Sequence, residues 1–96
     1  MLIIATYART LRPGVSIEQF IAAWMPEGDD PYPARWEVAV DHADDRRVLT
    51  VVHFDGTLQE LESAMPRLVH PESPARLDGV VESTELQSIY SAVAGN

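Results

Sequence analysis

Twice along this chain a short apolar run gives way to a hydroxyl residue followed three places later by Gln or Glu: Ser16 with Gln19, and Thr57 with Glu60. That spacing is a capping box, in which two side chains satisfy, reciprocally, backbone N–H groups that a helix start leaves free. Val15 and Phe20 also stand where a hydrophobic staple would close over the first start. Beyond Ser16, the residues Ile17, Phe20, Ile21 and Trp24 recur at i, i+3, i+4 and i+7 until Pro26 and Gly28 break the pattern. Beyond Thr57, a second stripe runs through Leu58, Leu61, Met65 and Leu68. Two amphipathic helices are predicted, each with one apolar face that must cover something.

The segments between the helices supply the cover. Leu2 to Ala8 is apolar, short and bounded by Arg12-Pro13-Gly14, which suits a buried strand. Trp36 to His42 and Val48 to Phe54, joined through Asp44-Asp45, read as a β-hairpin, and Glu85 to Val93 alternates as a last strand. Glu27 to Pro33 carries two prolines, a glycine and three acids, so it is an exposed connection. Pro66 removes a backbone bond and crowds the preceding turn, so the second helix is expected to end or kink near Met65. A short extra turn is expected at Pro74 to Leu77, closed by Gly79. The chain thus reads as one α+β domain over residues 1–96, of βαββαβ order, with a frayed tail from about residue 94.

Two helices can cover only one face of a four-stranded antiparallel sheet. Were the other face wet, its strands would alternate apolar with charged residues. Instead Leu2-Ile3-Ile4-Ala5 and Val48-Leu49-Thr50-Val51-Val52 are largely apolar on both sides. A chain of 96 residues has no third layer to offer, so the expected cover is a second copy in a two-fold contact.

Composition removes several function classes. Seven basic against fifteen acidic residues leave a formal charge of -8, the wrong sign for nucleic acid or an anionic membrane surface. Absence of cysteine removes disulfides, thiolate nucleophiles and thiolate metal sites. The opening run Met1 to Ala5 has no basic region before it and no export-type cleavage region after it, and a cytoplasmic protein is expected.

The element order, the paired capped helices and the doubly apolar strands, from Leu2 to about Val93, resemble the dimeric α+β-barrel superfamily, antibiotic-biosynthesis-monooxygenase-like members included. The resemblance implies a ferredoxin-like subunit with two helices on one face of its sheet, and a homodimer whose sheets pack together around a cleft. Chemistries within that superfamily include cofactor-independent quinol and anthrone oxygenation, haem degradation, lactone isomerisation and polyketide cyclisation. Others of its members are stress-response proteins or have no known activity. The first reading is a small aromatic or polyketide-like ligand, oxygenated without a cofactor. A non-catalytic dimeric binding or stress-related module is the alternative, and an isomerase or cyclase the weaker one.

A hairpin whose paired positions sum to an odd number, as two- and four-residue loops give, puts Trp36, Val38, Val40, His42, Leu49, Val51 and His53 on one face. His53 would then meet Trp36 or Val38, with Tyr7 joining from the first strand. Such a trio suits deprotonation of a phenolic substrate, His53 acting as base and Tyr7 and Trp36 as walls. Equally, these residues can serve as interior packing. Trp24, Tyr32 and Arg35 are candidates for the mouth of a cleft. In the isomerase or cyclase reading, Arg9 or Arg35 would hold a substrate carboxylate while His53 moves a proton. No metal site is expected: His53-Phe54-Asp55 offers an i, i+2 pair of ligands, His42 is about 13 Å away at ~3.3 Å per residue, and only His70 remains. His53 or His70 could serve as a haem ligand, but the local pattern of haem-degrading members is missing.

Overall fold

The computed structural model describes residues 1–95. Strand β1 (Leu2–Leu11) leads into helix α1 (Ile17–Trp24), then β2 (Arg35–Val40) and β3 (Arg47–Asp55), helix α2 (Leu58–Leu68), the short helix α3 (Ser73–Asp78) and strand β4 (Val81–Ser91). The four strands form one antiparallel sheet in the order β2-β3-β1-β4. This is the ferredoxin-like α+β topology expected from the sequence.

Both capping boxes are formed. Ser16 Oγ accepts from the Gln19 N–H at 3.1 Å while Gln19 Oε1 accepts from the Ser16 N–H at 2.8 Å. Thr57 and Glu60 repeat the exchange, both at 3.1 Å. Ahead of α1, Gly14 takes φ +82, a left-handed conformation that most side chains resist, and so lets the chain turn from β1 into the cap.

Helices pack on one sheet face in two apolar clusters. Leu61, Ala64 and Leu68 of α2 meet Ile3, Ala5, Val52 and Phe54. Phe20 and Trp24 of α1 meet Leu11 and Val48, with Leu77 of α3 against them. Phe20, Ile3, Leu11 and Val48 are fully buried, each contributing roughly 1.5–3 kcal/mol of transfer free energy.

Three expectations are corrected. First, α2 does not end at Met65, one of the two outcomes expected of Pro66, but carries on to Leu68. The missing bond is offset by burial of Leu68 and by the Val69 N–H, which donates to Met65 O at 2.9 Å beyond the proline. Second, β1 and β4 are longer than read: pairing of β1 with neighbours on both sides extends it to Leu11, past a bulge-like shift between Ala8 and Arg9. Third, the hairpin register is shifted by one residue. Trp36 pairs with Val52, Val38 with Thr50 and Val40 with Val48, so paired positions sum to an even number. Asp41 Oδ1 accepts from the Ala43 N–H and Asp44 Oδ1 from the Arg46 N–H, two Asx turns that stretch the connection over residues 41–46. A one-residue slip sends every side chain of β2 to the opposite face. Of the predicted tail, residues 92–95 lie beyond β4 and Asn96 lies outside the described residues.

Candidate functional site

The slipped register separates the predicted trio. Trp36 and Tyr7 share the helix-covered face, and His53 does not. Tyr7 pairs with Thr50 and projects beneath the helices with Ile3 and Ala5, whereas His53 pairs with Ile4 and Arg35 on the open face. His53 Nε2 lies 3.3 Å from Glu37 Oε1, and its Nδ1 is buried without a partner among the described residues. Arg35, Glu37 and His53 border only a shallow, open groove at the β2 edge.

The cavity lies instead between the sheet and the helices. It has a volume of about 590 Å³, within the range of small-molecule sites. Alternation along β1 places Tyr7 and Arg9 in its floor beyond Ala5, with Thr50 and Val52 beside them from β3. Helix α2 supplies Leu61, Met65 and Leu68 as an apolar wall, α3 closes one end, and β4 contributes Gln87 and Ile89. Trp24, at the end of α1, and Tyr32, in the connection to β2, complete it. Trp36 stands behind Trp24, its ring edge-on at 5.5 Å, and is not part of the lining. Of the residues singled out from sequence, the cavity thus unites Tyr7, Arg9, Trp24 and Tyr32 and leaves out Arg35, Trp36 and His53.

The lining also carries polar groups, from Tyr7, Arg9, Tyr32 and Thr50 in the interior to Asp78, Glu82 and Gln87 at its border. Tyr32 donates its hydroxyl proton to Leu68 O at 2.7 Å, and its ring meets Trp24 edge-on at 6.5 Å. Burial, and secondarily Tyr7, pushes the Tyr32 phenol up to about 12, so it stays neutral. The Arg9 guanidinium sits 4.5 Å from the centre of the Tyr7 ring and 5.9 Å from that of Phe20, in cation–π range of both. Burial lowers its pKa, partly countered by Tyr7, yet an arginine keeps its charge at neutral pH. Trp24 Nε1 and Thr50 Oγ1, though their residues line the cavity, are themselves buried away from it and have no hydrogen-bond partner among the described residues.

Sequence reasoning named Arg9 only as a carboxylate holder in the weaker isomerase reading and passed over Thr50. The period-2 alternation that buries Ile3 and Ala5 was the available signal, since it carries on to Tyr7 and Arg9. His70 sits apart, its Nδ1 accepting from the Glu72 N–H at 3.0 Å and its Nε2 lying 3.7 Å from Glu27. Among the described residues, no group of three or more His, Asp or Glu side chains is placed to hold a metal ion, and no helix is long and apolar enough to cross a membrane.

No protein-family model matches the chain, and no curated protein matches it. Among solved structures, it is similar to a protein from Chloroflexus aurantiacus J-10-fl provisionally described as an antibiotic biosynthesis monooxygenase. The superposition covers 100% of this chain and 97% of the other, with a TM-score of 0.65 and 16% sequence identity. At that identity the likeness shows the fold, and the resemblance drawn from sequence holds at that level.

Proposed function

We propose that the chain binds a flat aromatic or polyketide-like molecule in the cavity between sheet and helices, and exposes it to dioxygen as a cofactor-independent monooxygenase. The observation that carries this reading is the cavity itself: large enough for two or three fused rings, walled by Tyr7, Trp24 and Tyr32 and by the apolar side of α2. Aromatic walls hold a ring system by offset or edge contacts and keep water from the reacting carbon. In the reaction a phenolic substrate of the anthrone type gives up a proton to become an electron-rich anion. That anion reduces dioxygen: the ring methylene loses two hydrogens and gains one oxygen atom as a carbonyl, and the second oxygen atom leaves as water. The substrate itself is the reductant.

One observation favours a second reading, binding without turnover: among the described residues no histidine lines the cavity. In either reading, a second copy of the chain covers the open sheet face. What supports this pairing is the row Ala39, Leu49, Ala8 and Leu86, which crosses all four strands without a polar side chain.

The deciding experiment follows oxygen uptake and quinone formation with 1,8-dihydroxyanthrone as probe. Turnover above the spontaneous rate, abolished by Gln87→Trp, supports the oxygenase; Gln87 is exposed on the edge strand, so the bulkier ring blocks the cavity without entering the core. Saturable binding without uptake supports the binding-only reading. Neither binding nor uptake sinks both.

A further inference from the structure

Strand register divides the cavity floor into cross-strand rows that run from β3 through β1 to β4. The first row is Val52, Ala5 and Ile89; the next is Thr50, Tyr7 and Gln87; the last is Val48, Arg9 and Thr84. All but the fully buried Val48 border the cavity. From Ala5 to Arg9 the floor extends about 13 Å at ~3.3 Å per residue.

The two ends of this floor differ in chemistry. The first row has no polar side chain, and its roof is apolar as well: Leu61 and Leu68 of α2 pack in one cluster with Ala5 and Val52, and Met65 continues that wall. The last row carries the Arg9 cation beside the Thr84 hydroxyl. Asp78 and Glu82 fall at this same end, next along the chain to Leu77 and Val81, which pack with Val48.

A bulge in the β1–β4 pairing sharpens the contrast. The register that sets Ala8 against Leu86 would, if continued, set Glu85 against Arg9. The shift after Ala8 puts Thr84 there instead, and the Glu85 carboxylate accepts from Thr10 Oγ1 and Ser83 Oγ, both at 2.6 Å. Re-aiming a side chain is what a bulge does. Among the described residues ion pairs engage Arg46, Arg47 and Arg76 but not Arg9, and Glu82 is taken by Arg46 at 3.6 Å. The Arg9 guanidinium lies 4.5 Å from the centre of the Tyr7 ring, a cation without a carboxylate.

Building on the proposed aromatic cavity, we propose that the site is polarised along its strands and seats its ligand in one direction, oxygen-bearing edge at Arg9 and Thr84, hydrocarbon edge under α2 against Val52, Ala5 and Ile89. The ligand class is a fused-ring phenol or ketone oxygenated on one side only. An oxygen substituent at the α2 end would lose its water and find no partner. At the other end the guanidinium donates to it and favours its ionised form. In 1,8-dihydroxyanthrone the oxygens lie along one edge and the methylene lies opposite. This seating carries the methylene to the dry end, where water is kept from the carbon that meets dioxygen.

Fluorescence titration of the full chain with 2,3-dihydroxynaphthalene and 2,6-dihydroxynaphthalene tests the seating, because the two are isomers of one size and charge that differ only in whether both hydroxyls share an end. The 2,3-isomer is expected to bind about tenfold more tightly, a ratio worth roughly 1.4 kcal/mol. Ile89→Gln puts a hydrogen-bonding group at the apolar end and should raise the affinity of the 2,6-isomer severalfold. Ile89 is 55% exposed on an edge strand, so this variant should keep its fold. Arg9→Met should weaken the 2,3-isomer severalfold and narrow the ratio from the other side. Equal affinity of the wild type for the two isomers, or a preference that neither variant changes, overturns the polarised seating and leaves the aromatic cavity standing. Failure of the wild type to bind either isomer overturns the cavity reading and the seating with it.

Discussion

A single hydroxyl joins the connection before β2 to the far end of α2: Tyr32 donates to Leu68 O, and burial raises its phenol to about 12 against an ordinary value of 10.0. The unfolded chain therefore releases this proton at lower pH than the folded one. Between about pH 10 and 12 the folded state binds more protons, and stability falls as pH rises. All seven basic side chains are arginines, so no lysine titration overlaps this window. We expect urea unfolding to show the wild type losing more stability between pH 9 and 11 than Tyr32→Phe, which lacks the titrating group. Equal losses would remove Tyr32 as the cause. Residue by residue, legibility in the sequence followed chemistry: Tyr7, Trp24 and Tyr32 were marked as candidates because large aromatics line cavities. The neighbours of His53 were misplaced because they depend on strand register, which side-chain type does not reveal.

Among the elements, the helices were the most legible, because a capping box and a 3.6-residue stripe are local signals read within one segment. The hairpin was least legible: its register turns on whether Asp41 and Asp44 each capture the N–H two residues on, adding to the loop what an Asp44-Asp45 turn would not. Pro66 falls between these cases. Its cost in a helix interior is about 3 kcal/mol, yet tertiary packing of Leu61, Ala64 and Leu68 carries α2 through it. Pro66→Ala should restore an N–H able to donate to Glu62 O, against about 1 kcal/mol of extra entropy in the unfolded chain. The net expectation is a gain of about 1–2 kcal/mol in urea unfolding, with the helix unchanged by circular dichroism. A loss of stability would mean that the ring of Pro66 contributes packing that offsets the missing bond.

At the scale of the whole molecule, one sheet face is roofed by helices and the other is not. Register sets out the open face in cross-strand rows: Ala39, Leu49, Ala8 and Leu86; then Glu37, Val51, Thr6 and Ser88; then Arg35, His53, Ile4 and Tyr90. Polar groups gather toward the β2 edge, where His53 and Glu37 pair, and the apolar residues run unbroken across the first row. Leu49, Leu86 and Tyr90 are exposed in the isolated chain, a pattern soluble monomers seldom keep across a whole face. A two-fold contact would bury this row against itself, so one substitution acts twice in the assembly. Leu49→Asp places a carboxylate at the centre of that row, where each copy left unpaired would cost on the order of 3 kcal/mol. In the single chain Leu49 is already 39% exposed, so the variant should keep its fold. Sedimentation equilibrium should therefore return a dimer for the native chain and, for Leu49→Asp, a folded monomer with unchanged circular dichroism. If the native chain is itself a stable monomer at the highest concentrations measurable, the open face is a solvent surface and pairing between copies plays no part in how this fold is completed.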